Sequence, residues 1–90
     1  MAKIYYVDGS EIDVTPNNGT DFQWKELQEI VDGFIEIVYF RDGRMMVVNE
    51  EGKLRGLPYN AKATAIYEKE FGMGEFIVGN AIVCDEGQIK

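Results

Sequence analysis

Ninety residues allow one domain, here residues 1–90, and leave no room for a catalytic domain with an accessory one. A hydrophobic content of 46% excludes disorder, and no apolar run approaches the roughly 20 residues that span a bilayer. The net charge of −7 sets the chain as a whole against nucleic acid and anionic membranes.

Lys3 to Val7 is β-branched and aromatic, Asp8-Gly9-Ser10 forms a turn, and Glu11 to Thr15 alternates polar and apolar, which predicts a hairpin. Pro16-Asn17-Asn18-Gly19 is a loop. Thr20 followed by Gln23 fits a capping box, and Trp24, Leu27, Ile30 and Val31 then recur at helical spacing. Gly33 stands where a left-handed C-cap is wanted, giving a helix of about eleven residues. Phe34 to Phe40 is a strand, Arg41-Asp42-Gly43-Arg44 a turn, and Met45 to Asn49 the return strand. Pro58 keeps Leu57 out of the helical region, so a second helix starts after it. Asn60 is its natural N-cap, Ala63, Ile66, Tyr67 and Phe71 its buried stripe, and Gly72 its stop. Phe76 to Cys84 is the last strand, interrupted at Gly79-Asn80 by a bulge or close backbone approach.

The order β-β-α-β-β-α-β predicts an α+β fold: a mixed or mainly antiparallel five-stranded sheet with two helices on one face. The strands over 34–40, 45–49 and 76–84 are apolar on both faces and want cover on both sides. Two helices on one face leave the other to curl into a partial barrel or to be covered by another subunit, and a homodimer is the expected assembly.

His is absent, so nucleophile–His pairs are impossible and the commonest transition-metal ligand is missing. No P-loop, dinucleotide fingerprint or metal-ligand spacing is present, and no cofactor is expected. Asp8, Glu11 and Asp13 do not match a calcium loop and read as a solvated hairpin face. Cys84, in an apolar strand, reads as a core residue. The lone cysteine cannot form an internal disulfide, and no apolar leader precedes Asp8, so the cytoplasm is the expected compartment. Glu36, among Phe34, Val38 and Phe40, is either on a rim or buried with a partner.

Charge is unevenly placed. Residues 41–64 hold five bases (Arg41, Arg44, Lys53, Arg55, Lys62) and three acids (Asp42, Glu50, Glu51), a balance of +2. The remainder holds four bases and thirteen acids, a balance of −9. The basic segment also contains the second helix's N-terminus, whose unpaired N–H groups attract anions. The candidate ligand-binding residues are therefore Asn49, Glu50, Lys53, Arg55, Asn60, Lys62 and Thr64. The plainer alternatives stand beside this: solvated turn cations, and Asn60 as a simple N-cap.

The segment VNEEGKLRGLPYNAKAT (48–64) resembles a family of small bacterial and phage proteins catalogued as domain of unknown function 3846. ELQEIVDGFIEIV (26–38) is similar to that family's helix-glycine-strand segment, and FIVGNAIVC (76–84) to its closing strand. The likeness covers about two thirds of the chain. It carries over no functional residue, because the family has no established activity; it implies a setting in phages, plasmids and other mobile elements.

Three functional expectations follow. The leading one is a non-enzymatic binder of a small anionic, nucleotide-like ligand, by analogy sequestering a host defence signal. The second is an acidic interaction module, such as an inhibitor occupying the basic groove of a DNA-binding host protein. An enzyme using Glu36, Glu50 or Glu51 as acid or base is the third. Membrane and direct nucleic-acid partners are not expected.

Overall fold

The computed structural model describes residues 2–89. Its five strands are β1 (Ala2–Tyr5), β2 (Glu11–Val14), β3 (Ile35–Tyr39), β4 (Arg44–Asn49) and β5 (Ala81–Asp85). Two helices, α1 (Trp24–Val31) and α2 (Ala61–Phe71), separate them, and a short 3-10 turn follows β5. The order is the β-β-α-β-β-α-β expected, and the class is α+β. Every strand pairing is antiparallel, in the order β2-β1-β5-β4-β3. The last strand thus inserts between β1 and β4, and β2 and β3 form the two edges.

The helices do not share a face. Along β4, Met45 and Val47 pack with Leu27 and Val31 of α1, whereas Met46 and Val48 pack with Ala63 of α2. Successive residues of a strand point to opposite sides, so an unbroken apolar run serves two cores at once. The expectation of both helices on one face is corrected here. Its consequence changes too, because the face left bare in that arrangement lies under the second helix. Each buried Leu, Val or Ile contributes about 1.5–3 kcal/mol of transfer free energy, and β4, buried from Met45 to Asn49, and β5, buried from Ala81 to Cys84, each supply both cores.

Two helix boundaries differ from the sequence reading. The N-cap of α1 is Gln23, not Thr20, with the Glu26 carboxylate accepting the Gln23 N–H at 3.0 Å. Thr20 is engaged elsewhere: Asn18 Oδ1 accepts the N–H groups of Thr20 and Asp21, each at 2.9 Å. Phe22 then pairs with Ile89, keeping the chain extended until Gln23. At the other end the left-handed residue is Asp32 (φ 62°), one position before Gly33. The predicted strand over 76–84 is divided as its Gly-Asn interruption suggests. Val78 forms an isolated bridge to Tyr59, and β5 begins only at Ala81. No helix among the described residues is long and apolar enough to cross a membrane.

Candidate functional site

The residues between β4 and α2 form a corner that binds the two layers together. Asn49 is buried and donates through Nδ2 to the carbonyls of Val31 and Asp32, each at 3.0 Å, while its Oδ1 accepts the Glu51 N–H at 2.8 Å. One carboxamide therefore closes the C-terminus of α1 and the turn after β4 together. Arg55 grips the same helix end, Nη1 to the Asp32 carbonyl at 2.5 Å and Nη2 to its carboxylate at 3.2 Å. Gly33 lies between these two side chains. A Cβ there would stand 2.7 Å from Asn49 Nδ2 and 2.9 Å from Arg55 Nη1, so close approach, added to a φ of +154°, requires glycine.

Asn60 caps α2, as expected, its Oδ1 accepting the Ala63 N–H at 3.0 Å. Its Nδ2 also donates to Tyr5 O at 2.9 Å and Gly79 O at 2.8 Å, joining β1, α2 and the approach to β5. The residue is fully buried. Thr64 is buried beside it, its hydroxyl accepting the Ile77 N–H at 2.9 Å. At the start of α2, Asn60, Ala63 and Thr64 are therefore buried, whereas Ala61 and Lys62 are exposed.

The cations are held apart from one another by three different acids. Lys62 pairs with Glu11 on β2 at 2.9 Å, and Glu11 also receives Lys3 at 3.1 Å. These two ammonium groups, Lys62 first, hold the Glu11 carboxyl below its usual range. Lys53 pairs with Glu75, whose carboxyl is lowered mainly by that hydrogen bond, and stands 4.4 Å from the Phe76 ring centroid. Arg55 belongs to Asp32, at the end of α1. Cys84 is a core residue, its thiol pushed up to about 11 by burial.

Of the seven candidate residues, the structure brings Asn49, Glu50 and Lys53 together in one groove. The groove, of about 210 Å³, lies on the α2 side of β3 and β4. Its apolar lining comes from Val38, Val48, Tyr67, Ile77 and Val78, with Leu54 and Phe76 also contributing. Glu36, Glu50 and Glu75 set three carboxylates against the single ammonium of Lys53. Arg55, Asn60, Lys62 and Thr64 lie outside it. Glu36 takes the rim position of the two considered from sequence and is exposed. Leu54, Glu75 and Phe76 carried no sequence signal: Leu54 is 89% exposed and Phe76 47%, although both are residue types expected inside.

These features define a small α+β domain with one helix on each sheet face and an apolar groove edged by carboxylates. The chain belongs to the family described as domain of unknown function (DUF3846), whose model matches residues 2–89, so the likeness extends through the N-terminal hairpin as well. No curated protein and no solved structure matches the chain. The resemblance motif at 48–64 coincides with the Asn49, Asn60 and Thr64 ties described above.

Proposed function

We propose that the protein is a non-enzymatic interaction module that holds a basic, apolar segment of another protein in the groove between β3, the 49–54 turn and residues 75–78. The observation that carries this reading is the lining of the groove. With Lys53 and Glu75 paired to each other, Glu36 and Glu50 leave the groove a net charge of −2 that repels anions and attracts cations, while an apolar floor favours aliphatic side chains. Leu54, 89% exposed, and Phe76, with Tyr59 tilted against it at 6.3 Å between ring centroids, give a binding surface wider than the groove itself. The small-anion expectation draws on less: only Lys53 of its three cations lines the groove, and Asn60 is buried.

Fluorescence anisotropy with a labelled heptapeptide of alternating Leu and Lys tests the reading, with a Leu–Glu heptapeptide and ATP as controls. The Leu–Lys peptide is expected to bind, more weakly at high salt, and the Leu–Glu peptide not to bind. A Glu36→Gln, Glu50→Gln variant should bind about tenfold more weakly, the equivalent of about 1.4 kcal/mol shared by two contacts. A Glu29→Gln, Glu86→Gln variant, with the same change in charge on exposed positions outside the groove, should bind within about twofold of wild type. Equal losses in both variants would reduce the effect to net charge and refute the groove. ATP binding that disappears in Lys53→Ala would replace this reading with the small-anion one.

A further inference from the structure

Beside the groove runs an edge strand with its backbone open. In an antiparallel pair, alternate residues direct N–H and C=O toward the neighbour and the intervening residues direct theirs away. The Glu50 N–H donates to Phe34 O at 2.8 Å, and the Phe40 N–H donates to Arg44 O at 2.9 Å. With Glu36 opposite Val48 and Val38 opposite Met46, the even-numbered residues of β3 therefore serve β4. Ile35, Ile37 and Tyr39 aim their backbone groups outward. Among the described residues no strand pairs with that side, and no backbone hydrogen bond outside the strands reaches it.

The other edge is guarded. On β2, Glu11 and Asp13 hold Lys3 and Lys62 in ion pairs, a charged fringe that resists strand pairing. β3 carries a single charged residue, Glu36, and that residue lines the groove.

We infer that β3 takes the partner segment as a sixth strand, with the groove reading its alternate side chains. This rests on the docking reading above and specifies its mode. A strand added about 4.8 Å from β3 stands every second side chain over the face that carries Glu36 and Val38. In an alternating segment the basic side chains stand over that face and meet Glu36 and Glu50, while the apolar ones stand on the opposite face beside Ile37 and Tyr39. Main-chain hydrogen bonds to Ile35, Ile37 and Tyr39 supply affinity, and the groove supplies selection. A basic strand is a better occupant than a second copy of this chain, which would set −7 against −7.

Amide hydrogen exchange by NMR, with and without the Leu–Lys heptapeptide, tests the mode. The amides of Ile35, Ile37 and Tyr39 should exchange rapidly in the free protein and at least tenfold more slowly with peptide, whereas those of Glu36 and Val38 stay slow in both. Tyr39→Pro removes one outward N–H and leaves the bonds to β4 in place, so it should weaken peptide binding severalfold with an unchanged circular dichroism spectrum. Peptides N-methylated at one alternate set of residues should lose binding, and those methylated at the other set should keep it. Binding that depends on Glu36 and Glu50 but leaves the three amides unprotected would overturn strand addition while the groove reading stands. No binding at all would overturn both. Protection of the three amides before peptide is added, with sedimentation as a dimer, would assign the edge to a second copy and overturn the proposal.

Discussion

Replacing Asn60 by Ala removes a fully buried side chain that makes three hydrogen bonds. The cap to the Ala63 N–H is worth about 1 kcal/mol. The carbonyls of Tyr5 and Gly79 lose their donor, at about 1–2 kcal/mol each, because Asn60 is fully buried and water has no direct access to its position. The expected loss is about 3–5 kcal/mol, against a total stability of about 5–13 kcal/mol for a chain of this length. Urea unfolding followed by circular dichroism, with an unchanged slope, measures it. Asn60→Ser keeps an acceptor for the cap but reaches neither carbonyl, so it should lose about 2–4 kcal/mol. Asn60→Asp also keeps the acceptor, yet turns a carboxylate toward two carbonyl oxygens in a buried site. Burial raises such a carboxyl above its unfolded value of about 3.9, so the native state binds the proton more tightly than the unfolded chain. The Asp variant should therefore be least impaired in acid and lose stability as pH rises through that window. An Ala variant within about 1 kcal/mol of wild type would refute the accounting, as would an Asp variant equal to wild type at pH 7.

Two further outcomes concern backbone and charge. Gly79 combines a φ of +76° with a site where a Cβ would lie 2.9 Å from Leu57 Cδ1, whereas Gly9, at φ +91°, has nothing within 4 Å. Gly79→Ala should therefore lower the melting temperature more than Gly9→Ala, by about 2–3 against about 1 kcal/mol, and equal shifts would remove Leu57 from the explanation. Glu11 is held below its ordinary value of 4.5 by Lys62 and Lys3. A depressed carboxyl stabilises the fold above its unfolded pKa, and that contribution fades as pH falls through the folded one. The urea midpoint of wild type should fall more between pH 5 and 3 than that of Glu11→Gln; parallel curves would contradict the pairing.

The hairpins, both helices, the stop at Gly72 and the cap at Asn60 were legible because each rests on local rules of turn chemistry, period and capping. The candidate site was only partly legible. Lys53, Arg55 and Lys62 lie within ten positions in sequence, but Glu75, Asp32 and Glu11 hold them through distant pairings that no spacing encodes. Asn49 and Asn60 stand out in the sequence, yet their donors go to carbonyls of remote segments: Val31 and Asp32 in one case, Tyr5 and Gly79 in the other. Leu54 and Phe76 were silent because residue type alone does not report exposure.

By itself the amino-acid order determined the element types, their succession and the two-sided apolar character of the central strands. Only the tertiary structure decided which side each helix covers, where β5 inserts, and which edge stays open beside the groove. The physical reason is reach. Propensity, capping and periodicity act within a few residues, whereas strand order and ion-pair choice are set by contacts between segments tens of residues apart, where several arrangements satisfy the same local preferences.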